Sequence, residues 1–268
     1  MRAPRFIAGL VAALLLAAPR PGGAEIPPEG AFAVEALPGW RLADGTHLAA
    51  LRIRLAPGWR TYWRAPGAGL APEISLRGSA GIAGAAPLWP VPEVFRTSGL
   101  RSVGYADEAV IPLALSPAGP GGRMRLEGTI DFGVCREVCI PASAAFAADL
   151  PAAGAPDPAI AAALARQPLS AAEAGLRRAT CAIAPHAGGA ALTVSLDMPP
   201  LGPDEAVAIE PGDPSIAVSE PSAARAGGTL TASADLASPG PLALSRAAIR
   251  ITVLSPGRAA EILGCEAP

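Results

Sequence analysis

Lysine is absent from this chain of 268 residues: all 21 basic residues are arginine, and histidine occurs only twice. The lack of lysine, in a chain so rich in alanine, glycine and proline, is typical of a genome-wide base bias rather than of a binding site. Arg2, Arg5 and Arg20 lie within the N-terminal residues 1–24, so the remainder has 18 basic residues against 23 acidic ones, a net charge of −5. Because nucleic acids demand clustered positive charge, this balance argues against a nucleic-acid partner.

Long apolar runs are also missing, apart from one near the N-terminus. Basic residues precede the apolar or small residues 6–18, and further small residues follow up to Ala24. This order is typical of a cleaved secretory signal peptide, here residues 1–24, and the run is shorter than the roughly 20 residues of a transmembrane helix. A short N-terminal anchor is the alternative. Glycine and proline interrupt the alanine-rich residues 152–174, so we expect no stable membrane insertion of the mature chain.

The abundance of 31 prolines and 30 glycines excludes long helices and favours short strands joined by turns. Apolar and polar residues alternate over residues 51–55, 126–134, 192–196 and 249–253. Alternation with a period of two, interrupted by turn residues, is typical of half-buried strands in sandwiches. The sequence therefore predicts an all-β fold made of β-sandwiches.

One region departs from this pattern and predicts a division into domains. Asp157 precedes a proline, as at a helix N-terminus, and Ser170 to Glu173 has the pattern of a capping box for a second short helix. Residues 152–178 are therefore predicted to form a short helical connector. It would join a first sandwich domain, residues 25–151, to a second one, residues 179–268.

The four cysteines fall into two unequal pairs. A disulfide between Cys181 and Cys265 would close a long loop and stabilise the second domain by about 4 to 5 kcal/mol, as a structural bridge. A disulfide between Cys135 and Cys139 would close a loop of about five residues and contribute only about 2 kcal/mol. A bridge that stabilises little and is exposed is typical of labile, exchangeable disulfides. An inert bridge at the end of a strand is the alternative.

The strand phase places Cys135 on the face opposite the apolar residues of segment 126–134, and therefore toward solvent. A thiolate there would reach a partner's disulfide without unfolding of the domain. Within the loop, Arg136 favours a thiolate and Glu137 opposes it. No helix N-terminus is predicted at the pair, so activation by a helix dipole is not expected.

A metal site needs more ligands than this region supplies. Zinc takes four ligands, or three and a water, and beside the two cysteines the chain offers only His47 and His186. Copper(I) accepts thiolates and thioethers, but Met124 is the single methionine of the first domain. We expect neither a metal nor another cofactor. Handling of copper(I) by the two thiolates stays open as an alternative function.

Several short motifs occur in order along the first domain. Residues 58–64 read GWRTYWR, residues 89–92 read WPVP, residues 99–105 end in GY, and residues 132–141 read FGVCREVCIP. This ordered set resembles the periplasmic N-terminal domain of DsbD-like and ScsB-like thiol:disulfide interchange proteins. The spacing of the cysteines is nearer to the ScsB type.

The resemblance implies an immunoglobulin-like sandwich in a periplasmic protein, with Cys139 forming a mixed disulfide with the partner and Cys135 resolving it. Some members shield the pair with a cap that bears an aromatic ring, and by position Gly104 and Tyr105 are the candidates here. Arg136 and Glu137 are candidates for contact with the partner. The aromatic residues of the motifs are expected to serve packing: Trp59, Tyr62, Trp63 and Trp89.

The resemblance also implies partners. These would be thioredoxin-like or disulfide-isomerase-like periplasmic proteins. The sequence contains neither a multi-span membrane segment nor a CxxC motif, so electrons are expected to come from a separate membrane donor. We therefore expect a thiol:disulfide oxidoreductase of the protein-disulfide reductase type. A structural pair of sandwich domains with inert disulfides is a further alternative.

Overall fold

The computed structural model describes residues 27–67, 69–97, 100–119 and 122–268. The predicted signal peptide, residues 1–24, lies outside the described residues. Within the described ranges, no helix combines the length and the apolar character needed to cross a membrane.

The first part of the chain folds into two antiparallel sheets, which together form the N-terminal sandwich (residues 32–150). One sheet has the strand order β1-β2-β8-β5, and the other has the order β10-β9-β3-β7-β6, with β4 also paired to β9. The strands are β1 (Phe32–Arg41), β2 (His47–Leu55), β3 (Arg60–Gly67), β4 (Glu73–Ser75), β5 (Ile82–Pro87), β6 (Glu93–Thr97), β7 (Leu100–Ala106), β8 (Glu108–Pro117), β9 (Met124–Cys135) and β10 (Cys139–Leu150).

Alternation in the sequence explains how these two sheets enclose a core. In β9, Leu126, Ile130 and Val134 are fully buried, as their shared strand face predicts. They pack with Ile53 of β2 and Trp63 of β3 in one apolar cluster to which both sheets contribute. In β9 the outward positions carry polar residues, among them the exposed Thr129 and Asp131.

The connector contains one short helix, α1 (Pro158–Leu164). Asp157 caps it by accepting hydrogen bonds from the backbone N–H groups of Ala159 and Ile160. The second predicted helix is wrong: the Ser170–Glu173 side-chain bonds form, but the chain makes a single turn there. Ser170 belongs to a short strand, and Gly175 ends the turn with a φ of 70°. The predicted domain boundaries stay a prediction.

The remainder of the chain forms the C-terminal sandwich (residues 169–263). Its sheets have the orders β11-β19-β18-β14 and β12-β13-β17-β15, with β16 paired to β17. A 3-10 helix (Arg246–Ala248) precedes β18. The strands are β11 (Leu169–Ser170), β12 (Arg178–His186), β13 (Gly189–Asp197), β14 (Ala206–Glu210), β15 (Ala217–Val218), β16 (Ser222–Ala226), β17 (Thr229–Ala237), β18 (Arg250–Ser255) and β19 (Arg258–Leu263). Two β-sandwiches joined by a short helical segment confirm the predicted all-β, immunoglobulin-like fold class.

A disulfide joins the beginning and the end of the C-terminal sandwich. Cys181 lies in β12 and is fully buried, and its bridge to Cys265 spans 84 residues of sequence with a Cα–Cα distance of 5.7 Å. The chain after β19 returns beside β12, where Thr180 forms a bridge with Glu266. The bond therefore links the two sheets of the sandwich.

The two sandwiches pack directly against each other. Four residues of the C-terminal sandwich belong to the apolar cluster of the N-terminal one: Ala206, Ala208, Leu254 and Ala259. Beside them, the buried Arg101 of β7 donates a hydrogen bond to the Pro221 carbonyl at 2.7 Å and pairs with Glu220 at 3.4 Å. The contact thus combines apolar packing with buried polar interactions.

Removal of the Cys181–Cys265 bridge is predicted to cost far more stability than removal of the Cys135–Cys139 bridge. Loop closure gives about 4.5 kcal/mol for a loop of this length and about 2 kcal/mol for the short one. Chemical denaturation of the two double Cys→Ala variants measures both values. Equal losses in the two variants would contradict this assignment of roles.

Candidate functional site

The Cys135–Cys139 pair closes the end of a hairpin. Cys135 is the last residue of β9, Cys139 is the first of β10, and the register places them directly opposite each other. Their Cα atoms are 4.1 Å apart and their side chains form a disulfide. Opposite residues in antiparallel strands lie about 4.5 to 5.5 Å apart, a range that overlaps the Cα separations of disulfides, so the register itself brings the two cysteines together. The bridge therefore sits at the mouth of a three-residue loop, residues 136–138.

The pair is open to solvent on the side of Cys139. Cys135 is half-buried and points away from the core face of β9, as the strand phase predicts, while Cys139 is exposed. Val138, between them, is 58% exposed. Arg136 and Glu137 are exposed on the same loop, and the Arg136 N–H donates to the Val138 carbonyl at 3.2 Å. A partner would therefore reach the Cys139 sulfur first.

A phenol lies against that sulfur. The Tyr62 hydroxyl oxygen is 2.8 Å from Cys139 Sγ, and because a disulfide sulfur carries no hydrogen, the phenol is the donor. Tyr62 belongs to β3, which pairs with β9 through Thr61 opposite Val134. The Thr61 hydroxyl also donates to the Gly133 carbonyl at 2.9 Å. The strand that carries the phenol is therefore fixed to the strand that carries Cys135.

Two glycines make room for the Tyr62 ring. A Cβ at Gly133 would lie 2.7 Å from ring carbons of Tyr62, and a Cβ at Gly69 would collide with the opposite edge of the ring. Leu70, the residue after Gly69, lies beside Gly133 and is 48% exposed. Because any larger residue at either glycine would displace the ring, the glycines help to hold the phenol at Cys139.

The prediction of Gly104 and Tyr105 as a cap is wrong. Tyr105 lies opposite Thr61, on the core side of the sheet, where it is buried and donates to the Pro90 carbonyl at 2.8 Å. Gly104 lies opposite Tyr62, and a side chain there would collide with the Thr61 carbonyl. Successive residues of a strand face opposite sides, so Tyr105 points away from the face that carries Tyr62 and the cysteines.

The aromatic residue at the pair is thus Tyr62, which the sequence analysis assigned to packing. Trp59, Trp63 and Trp89 are buried in the core cluster, as predicted. The signal for the different role of Tyr62 was the combination of Gly69 with a glycine inside the cysteine motif, both of which contact its ring.

Arg60 lies on the strand next to Cys135, but its side chain extends toward β6. Arg60 is opposite Cys135 in the register, and its guanidinium stacks over the Phe95 ring at 4.4 Å from the centroid.

The histidines lie apart from the cysteine hairpin in the topology. His47 is buried in β2 of the opposite sheet, where Nε2 is 2.6 Å from the Pro38 carbonyl, and burial lowers its pKa. His186 ends β12 in the C-terminal sandwich. In the part of the chain that the structure describes, no group of three or more histidine, cysteine or acidic side chains is arranged to hold a metal ion.

The two tyrosines are predicted to ionise only above the usual pH. Burial raises the pKa of both the Tyr62 and the Tyr105 phenols, so their neutral forms persist in the folded protein. In the unfolded chain tyrosines ionise at about pH 10. The folded state keeps its tyrosine protons above that pH and the unfolded state does not, so the free energy of unfolding falls as the pH rises above it. Tyrosinate absorbance of the folded and the denaturant-unfolded chain checks this. Ionisation of either tyrosine at the same pH in both states would contradict it.

The N-terminal sandwich and its cysteine pair are similar to known proteins. Residues 24–151 match the family described as "Thiol:disulfide interchange protein DsbD, N-terminal". Curated protein sequences gave no match. Among solved structures, the fold is similar to the N-terminal periplasmic domain of ScsB from Proteus mirabilis, with a TM-score of 0.65 and 24% identity over 92% of this chain and 97% of that one. The N-terminal sandwich is therefore similar to DsbD and ScsB N-terminal domains, and the matched segment, residues 24–151, contains both Cys135 and Cys139.

Proposed function

We propose that this protein is a periplasmic thiol–disulfide exchange module that acts through Cys139 and Cys135. The observation that carries the proposal is the contact between the Tyr62 hydroxyl and Cys139 Sγ at an exposed disulfide. An inert structural bridge needs neither an exposed sulfur nor a hydrogen-bond donor beside it. The family match over residues 24–151 supports the same reading.

The exchange follows from the positions of the two sulfurs. In the reduced protein the Cys139 thiolate attacks a disulfide sulfur of the partner, an S–S bond forms between the proteins, and the partner's second sulfur leaves as a thiolate. The Cys135 thiolate then attacks Cys139, restores the intramolecular disulfide and releases the partner's first sulfur. Two electrons pass to the partner, and its two sulfurs take up protons. The same steps run in reverse when the partner is the reductant.

Tyr62 supplies a proton donor to the attacking sulfur. Burial raises the pKa of its phenol, which therefore stays protonated at neutral pH and donates rather than accepts. A hydrogen bond to the charged form of a group favours that form, so the phenol favours the Cys139 thiolate.

The setting and partners of this reaction follow from the family resemblance and the predicted signal peptide. The partners would be thioredoxin-like or disulfide-isomerase-like proteins of the periplasm, with electrons supplied by a separate membrane donor. The chemistry is that of a protein-disulfide reductase and needs no cofactor, because cysteine sulfurs carry the electrons themselves.

The two cysteines are predicted to differ in the capture of a partner. Cys135→Ser should form an equimolar covalent adduct with a thioredoxin whose second CxxC cysteine is serine and whose first is activated by thionitrobenzoate. Released thionitrobenzoate and non-reducing electrophoresis measure the adduct. Cys139→Ser is the matched variant, and it should react much more slowly because Cys135 is half-buried. Equal capture by both variants, or capture by neither, would overturn the proposal.

Tyr62→Phe is predicted to shift the reactivity of Cys139 toward higher pH. A hydrogen bond to a charged group contributes about 1.5 kcal/mol, which corresponds to roughly one pH unit. The pH dependence of iodoacetamide alkylation in a Cys135→Ser background gives the midpoint. Tyr105→Phe is the control, since that ring lies on the other face of the sheet. A midpoint that is the same with and without the Tyr62 hydroxyl would show that the phenol does not act on the thiolate.

A further inference from the structure

Arg64 connects the strand that carries Tyr62 to the C-terminal sandwich. It lies two residues after Tyr62 in β3, and its guanidinium contacts Glu210 of β14 at 3.1 Å and Glu261 of β19 at 2.5 Å. The Arg64 side chain is only 13% exposed, and its guanidinium stacks over the buried Trp63 ring at 4.2 Å. The planar guanidinium is therefore held on its face by the N-terminal sandwich and at its edge by the C-terminal one.

These charges form a balanced network. Arg250 of β18 approaches Glu261 at 3.4 Å and Glu210 at 3.9 Å, so two arginines alternate with two carboxylates. Such a partly buried arrangement is sensitive to the loss of one member, because the remaining charges lose their partner in a poorly solvated place. Loss of Arg64 would leave the two carboxylates with Arg250 alone.

The other end of this strand segment is fixed to the cysteine hairpin. Arg60 pairs with Cys135 and Thr61 with Val134. Tyr62 therefore lies between two points of attachment. One is the pairing with β9, and the other is the ion-pair network at Arg64.

Regular pairing with β7 does not hold the part of β3 that carries Arg64. The register between β3 and β7 is irregular from Tyr62 to Gly67. On that side a cleft of about 830 Å³ between the sandwiches is lined by Arg64 and Gly69, among others. Gly69 is the residue that contacts the Tyr62 ring. The cleft therefore reaches the glycine that contacts the ring, and the ion pairs at Arg64 join the two sandwiches beside it.

We infer that Arg64 is a positioning residue, through which the C-terminal sandwich holds Tyr62 at Cys139 and so sets the reactivity of the thiol. The inference rests on the proposed function, because it takes the Cys139 thiolate as the reacting group. The C-terminal sandwich would thus have a role in the exchange, although the reacting cysteines both belong to the N-terminal sandwich.

The test is a double-variant cycle in a Cys135→Ser background. Tyr62→Phe, Arg64→Gln and the combination are compared by the pH dependence of Cys139 alkylation with iodoacetamide. Arg64→Gln should lower the alkylation rate at neutral pH at least threefold and move the midpoint upward, as Tyr62→Phe does. The combination should go no further than Tyr62→Phe alone, because Arg64 acts through the phenol. Arg64→Lys keeps the charge but not the fork, and should recover part of the rate.

Glu205→Gln is the matched control for a general loss of stability. Glu205 pairs with Arg225 inside the C-terminal sandwich, and both side chains are largely buried, 8% and 16% exposed. Thermal unfolding should show that Glu205→Gln loses about as much stability as Arg64→Gln, while the midpoint of Cys139 alkylation in Glu205→Gln stays at its original value. Should Arg64→Gln fail to fold, Glu261→Gln removes one partner of the network and should move the midpoint in the same direction by a smaller amount.

Three outcomes would overturn the inference: an unchanged midpoint in the variants of the network, additive effects of Arg64→Gln and Tyr62→Phe, or an equal shift in Glu205→Gln. Failure of the proposed function looks different. In that case the Cys135→Ser parent itself would not capture the activated thioredoxin. Capture by the parent together with an unchanged midpoint in Arg64→Gln would reject the role of Arg64 alone.

Discussion

The register of the β9–β10 hairpin is the constraint on which the site depends. It sets Cys135 opposite Cys139 and sends the sulfurs outward, while Phe132 and Val134 point into the core. A slip by one residue would reverse every side chain of the strand and bury the cysteine in place of an apolar residue. The fully buried residues of β9 make such a slip costly, so the core that stabilises the sandwich also keeps the disulfide at the surface.

Attachment of β3 to this hairpin adds the second part of the site. The strand pairing puts Tyr62 beside Cys139, and two glycines allow its ring to lie close to the backbone. The Arg64 network then joins β3 to the C-terminal sandwich. Two disulfides in one chain thus have different physical settings: one includes the fully buried Cys181 and links distant parts of the chain, and the other includes the exposed Cys139 and links neighbouring strands.

Much of this was accessible from the sequence, because it depends on local patterns. Alternation predicted the strands, and the phase of residues 126–134 predicted which way Cys135 points. The position of Tyr62 was not accessible, since its contact with Cys139 joins residues 77 apart and needs the pairing of β3 with β9. The cap was misplaced at Tyr105 for a related reason. Neighbouring residues of a strand face opposite sides, and only the register shows which of them faces the cysteines.

The prediction of a second short helix is wrong for a different reason. The side-chain bonds between Ser170 and Glu173 do form, so the local signal was correct. However, Leu169 and Ser170 pair with β19, and Gly175 follows in a left-handed conformation. Tertiary pairing therefore overrode a local preference, as is common for segments too short to form a stable helix alone.

The central claim is that the disulfide at the hairpin mouth is the exchangeable one, and its reduction potential tests this most directly. Redox titration of the intact protein against glutathione buffers, with thiol labelling and mass spectrometry to separate the two bridges, gives both values. The account predicts that Cys135–Cys139 opens at a potential less negative than about −300 mV, while Cys181–Cys265 stays oxidised there. Two bridges that both resist reduction at that potential would contradict it.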